Sequence, residues 1–139
     1  MNTSTPNHTI PSDWIKKWLA EVSVWKQMLD SRMEQNIMIK NNISAILKKE
    51  YNQKSLDEIE HFQTRSIEED EIISVLKSEV IELDNLLRDY KLEAIRFPKT
   101  LYETIHHLRE DMVYSEDRFR SLIAVFQQFQ QKVSREKEN

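Results

Sequence analysis

The chain has 139 residues, 20 Lys plus Arg against 24 Asp plus Glu, three prolines, no cysteine and no glycine. Without glycine the tight hairpin turns, phosphate-cradling loops and nucleophile elbows that need positive φ are disfavoured together. Without cysteine there is no disulfide framework, thiolate nucleophile or Cys-ligated zinc, and a net charge of −4 gives no support to a role on nucleic acid.

The charge is unevenly spread. Residues 1–55 carry eight bases and five acids, residues 56–99 six and twelve, and residues 100–139 six and seven. A basic first segment beside an acidic second one favours their pairing. Residues 1–11 are polar, with neither a basic n-region nor an apolar h-region, and are expected to form a disordered tail. No apolar run approaches the roughly 18 residues of a membrane span, so the expected location is cytoplasmic.

From Ser12, which can cap a helix, apolar residues recur at steps of three and four: Ile15, Trp18, Val22, Trp25, Leu29, then Arg32 and Asn36, then Ile39, Ile43 and Ile46. The pattern lapses at Tyr51 to Lys54, and Ser55-Leu56-Asp57-Glu58 reads as a capping box opening a second helix. Its seam is Ile59, Phe62, Ser66, Glu69, Ile73, Leu76, Val80, Leu83, Leu87, Tyr90, Ala94 and Phe97, and Pro98 is expected to end it. Thr100-Leu101-Tyr102-Glu103 reads as another capping box. It opens a third seam of Leu101, Ile105, Leu108, Met112, Ser115, Phe119, Leu122, Phe126, Phe129 and Val133.

These elements predict an all-α fold: an elongated, antiparallel, up-down-up three-helix bundle with coiled-coil-like packing. Its helices span about 12–52, 56–97 and 100–135, in a single domain of residues 12–135 followed by a frayed 136–139. In architecture alone this resembles modules of the spectrin-repeat kind, and no residue role is carried over from them. The alternative is that residues 51–54 stay helical, giving one rod that needs a partner chain. Counting back from the two turns sets Trp25 level with Leu83 and Ser115. The same count brings Asn36, Asn41 and Asn42 near Glu69 and Asp70, with Gln127, Gln128 and Gln131 one helix over. Asn36, Glu69 and Gln128 are thus expected to form a polar belt that fixes register, as a buried Asn does in coiled coils.

Two Glu-x-x-His pairs, Glu58 with His61 and Glu103 with His106, have the form used by di-iron carboxylate bundles. Both glutamates sit at the third position of a capping box, which already accounts for an acid there, and the two pairs fall far apart in an antiparallel hairpin. No catalytic residue, metal or cofactor is therefore expected; a carboxylate/His metal site would need two chains.

Outside the seams, Ile67, Ile81 and Ile95 recur every fourteen residues, with Val75 and Leu92 nearby, and Ile37 and Met38 stand out on the first helix, as do Val113 and Tyr114 on the third. A three-helix core leaves such positions outward, which suggests a contact face, most simply of a homodimer. The expected function is a non-enzymatic structural or protein–protein interaction module that self-associates. One alternative is a membrane-surface-associating bundle using Trp14, Trp18 and Trp25 with Lys16, Lys17 and Lys26; another is a small acidic helper resembling secretion chaperones.

Overall fold

The computed structural model of the chain describes residues 10–49, 53–93 and 98–138. Three helices are present, α1 (Ser12–Leu47), α2 (Gln53–Glu93) and α3 (Pro98–Glu138), and there is no strand among the described residues. The protein is an all-α three-helix bundle. The helices form because apolar residues return every three or four positions with no glycine to loosen the interior and proline only at or beyond the ends. Every described seam position is buried except Ile46, which is half-buried. Ala94 and Phe97 lie outside the described residues.

The helix packing divides into two compact units, each containing part of all three helices: unit 1, Met1–Leu29 with Val75–Val113, and unit 2, Asp30–Ser74 with Tyr114–Asn139. In unit 1 the core is built from Ile15, Val22 and Leu29 of α1, Val80, Leu83 and Leu87 of α2, and Ile105 and Leu108 of α3. Full burial of each such side chain is worth about 1.5–3 kcal/mol. Ile10, expected in a disordered tail, is instead buried at 3%, and its backbone N–H donates to the Tyr90 hydroxyl. Unit 1 is further tied by Arg109, whose guanidinium grips Glu21 through Nε and Nη2 at 2.9 Å each, joining α3 to α1.

In unit 2, Phe62 packs against Phe126 edge-to-face and against Phe129 at a tilt, with both ring centroids 5.1 Å away. Ile39, Ile43, Ile59, Phe119, Leu122 and Val133 complete this core. Lys132 Nζ reaches Glu58 Oε1 at 2.8 Å and Arg118 Nε reaches Glu69 Oε2 at 3.0 Å, so α3 recedes as α2 advances and the two run antiparallel here.

The helix ends differ from expectation. α1 stops at Leu47, five residues short of the expected 52, and Lys48 and Lys49 close its last turn onto Ser44 and Ile46 carbonyls. α2 has already begun at Gln53, so Ser55 is a buried residue of the first turns, outside the N-cap role, and Glu58 turns to Lys132. Residues 53 and 54 are helical and 47 ends α1, so the two helices are separate elements, while residues 50–52 lie outside the described residues. At the second connection Pro98 opens α3, in the first turn where its missing N–H has no helical acceptor to lose. α2 ends at Glu93, four residues before the expected 97. At the start of α1 the Pro11 carbonyl accepts from the N–H groups of Trp14 and Ile15, which makes Ser12 the first helical residue.

Candidate functional site

Polar residues interrupt the apolar seam in unit 2, and there the structure builds a belt that touches all three helices. Arg32 of α1 is 3% exposed; its Nη1 donates to Ser115 Oγ at 2.7 Å and its Nε to Glu116 Oε2 at 2.8 Å, both on α3. The other oxygen of Glu116 accepts from Arg120, one turn on. Asn36, fully buried, donates through Nδ2 to the Ser66 carbonyl at 2.8 Å and to Asp70 Oδ1 at 2.7 Å, both on α2. Reversing that amide would set its oxygen against two acceptors, so the orientation follows from the partners. Asn36 Oδ1 is then left buried with no hydrogen-bond donor among the described residues. Lys40 pairs with the second oxygen of Asp70.

The α2–α3 side of the belt rests on Arg118, which no expectation included. Its Nε donates to Glu69 Oε2 at 3.0 Å and its Nη2 to Glu68 Oε2 at 2.7 Å. Glu69 is only 2% exposed. The hydrogen bond to Glu69 raises the Arg118 pKa above the usual arginine value, against an opposing effect of burial. Charge-assisted bonds of this kind are what permit a carboxylate at a core position.

Of the three residues expected in the belt, Asn36 and Glu69 are buried in it, and Gln128 is exposed. Gln127, Gln131, Asn41 and Asn42 are exposed as well. The fold-back count failed because α2 ends four residues early and α3 starts two early, which slides α3 along α2. Phe126 and Phe129 therefore meet Phe62, and Arg118 meets Glu69 where Gln127 and Gln128 were expected. Ser115, expected level with Trp25, receives Arg32, its small side chain leaving room for a guanidinium.

Outside the seams, the expected contact residues are on the surface. Unit 2 presents Ile37 (48% exposed), Met38 (62%) and Ile67 (57%). Ile67 also lines an open groove of about 740 Å³ between α1 and α2, walled by Lys40, Ile43, Glu60 and Gln63. Unit 1 presents Val75 and Ile81, and Val113, also at an outward position, is exposed too. Tyr114 in unit 2 is the most exposed large apolar residue described. The Leu92 side chain and Ile95 lie outside the described residues.

The tryptophans have different environments. Trp18 and Trp25 belong to the core, whereas Trp14 is half-exposed and packs with Trp18 and Tyr102 in a three-ring cluster with centroids 5.4–6.1 Å apart. Of the Glu-x-x-His residues, Glu58 is held by Lys132, His106 pairs with Glu110 at 2.9 Å, and His61 and Glu103 are exposed. Among the described residues no three His, Asp or Glu side chains converge as a metal-binding group. No described helix is long and apolar enough to cross a membrane.

Two carboxylates in unit 1 have shifted acidities. Burial pushes Asp84 up, but hydrogen bonds from Arg88 and Lys26, with the attraction of both charges, outweigh it and hold the carboxyl below its ordinary value. Burial first, then repulsion from Asp111 and Glu82, raises Glu79. Asp84 is thus a buried carboxylate held between two cations, and Glu79 a half-buried one facing two other carboxylates. No protein-family model, curated protein or solved structure matches the chain.

Proposed function

We propose that the chain is a non-catalytic protein–protein interaction module that self-associates through outward apolar positions of its helices. The carrying observation is the exposure of Ile37, Met38 and Ile67 in unit 2 while the seam residues around them, Asn36, Ile39, Ser66 and Glu69, are buried. The core is thus complete without these side chains, and branched aliphatic or thioether groups left in water are the usual material of a contact surface. A symmetric dimer is the simplest assembly a single apolar face supports.

The test is substitution at outward positions. Ile67→Glu and Ile81→Glu should each leave helix content unchanged, since neither residue belongs to the core, and should weaken self-association. An assembly mass that does not respond to either substitution would remove this assignment.

A second reading, association with an anionic membrane surface, draws on the half-exposed Trp14 beside Tyr102 and on the exposed Lys16 and Lys17. Burial of Trp18 and Trp25 leaves it a smaller apolar payload than the sequence suggested. Co-sedimentation with phosphatidylserine vesicles, abolished by Trp14→Ala, would favour it over self-association.

A further inference from the structure

Apolar seams with a seven-residue repeat are degenerate in register. Sliding one helix past another by a heptad sets apolar residues on apolar residues again, and two copies of one helix can pair as well as two different helices. The belt in unit 2 breaks this degeneracy. Arg32 and Asn36 find acceptors at Glu116, Ser115, Ser66 and Asp70 only in the observed alignment. Moving α1 along α2 by seven residues would put Asn36 opposite Ile59 and Phe62 in one direction and Ile73 in the other. Pairing α1 with α1, or α2 with α2, in register between two copies would bring Arg32 onto Arg32 or Glu69 onto Glu69. Each alternative strands charge in a core.

We propose that this belt is a register lock, which restricts core pairing in unit 2 to unlike helices in a single alignment and contributes specificity rather than stability. A second observation points the same way: Asn36 Oδ1 is buried and accepts no hydrogen bond among the described residues, so the belt gives up stability at its centre. Buried ion-pair sets exchanged as a whole for apolar residues leave stability unchanged or higher, which separates the two roles experimentally. With the core locked, any self-association uses the outer positions, yet the lock itself does not depend on self-association being correct.

The experiment exchanges Arg32→Met, Asn36→Leu and Glu69→Met together. Arg118, Asp70 and Glu116 keep 24–40% of their side-chain surface in water and can turn outward. The chain has no cysteine of its own, so alignment can be read with a short bis-maleimide at introduced pairs. Ser44→Cys with Glu60→Cys, which line the same α1–α2 groove and lie outside the belt, reports α1 against α2, and Glu58→Cys with Lys132→Cys reports α2 against α3. With the belt intact, both pairs should cross-link within one chain. With the belt apolar, helix content should persist and the melting temperature hold or rise, while intrachain cross-linking falls severalfold and shifted or interchain products appear. Unchanged cross-linking would overturn the proposal, and so would loss of helicity, which would make the belt a stabilising element. Because the reported contacts lie within one chain, a failed lock is distinguishable from a failed self-association reading, which moves only the assembly mass.

Discussion

Glu69 and Arg118 show at the scale of single residues how a charge is accommodated in this core. The carboxylate is 2% exposed and the guanidinium bonded to it retains 31% of its side-chain surface, so the arginine can return to water and the glutamate cannot. Arg118→Ala should therefore destabilise the protein by about 3–5 kcal/mol, as expected when one partner of a buried pair is removed. That is as much as Phe119→Ala, which should cost about 3–5 kcal/mol through the cavity it leaves. Urea denaturation of the two variants checks both values, and a loss below 1 kcal/mol for Arg118→Ala would mean that Glu69 is satisfied without it. Asn36 and Glu69 were legible in the sequence as belt residues, and Arg32 only as a polar seam position, because all three keep the unbroken three-and-four rhythm. Arg118 was not, because it flanks the seam beside Phe119 and reaches its partner through the length of its side chain. Periodicity records where a Cβ points, not how far a flexible chain extends.

At the scale of the helices, Asp84 and Glu79 on α2 predict opposite responses to pH. Asp84 is held below its ordinary value by Arg88 and Lys26, so its contribution is present above the unfolded-state pKa and lost as pH falls through the lower folded value. Asp84→Asn should then cost about 0.5–1 kcal/mol at neutral pH, with the difference from wild type closing as pH falls through the lowered folded value. Glu79 is raised, so its ionised form is disfavoured in the folded state and stability is lost as pH rises through the folded value. Glu79→Gln should leave stability unchanged at acidic pH and increase it by a few tenths of a kcal/mol at neutral pH, the scale of exposed charge effects. Urea midpoints across a pH series test both, and a Glu79→Gln effect of the reverse sign would refute the repulsion by Asp111 and Glu82. The helices themselves were legible as three seams, but their ends were not. Capping-box letters at Ser55 and Thr100 suggested starts that the chain makes two residues earlier, at Gln53 and Pro98. Local capping chemistry is worth only about 1 kcal/mol, and it gives way to whatever tertiary packing the first turn can find.

For the molecule as a whole, the three-helix fold and its buried seams followed from spacing alone, because 3.6-residue periodicity over some 40 residues is a strong signal. Helix alignment did not follow, since the errors at the end of α2 and at the start of α3 add in the residue that faces a given position, and that displacement moved Gln128 out of the belt and Arg118 toward it. The outward positions of Ile37, Met38, Ile67, Val75 and Ile81 were also legible, as apolar letters off the seam, and all five are exposed. What covers them is the substance of the functional proposal. The most direct measurement is absolute mass by size-exclusion chromatography with light scattering over a dilution series, on the full chain and on its Ile81→Glu variant. A wild-type dimer that dissociates on dilution, and a variant that is a folded monomer at concentrations where wild type is dimeric, is the predicted result. A wild-type chain that remains at 16.7 kDa at every concentration would contradict self-association.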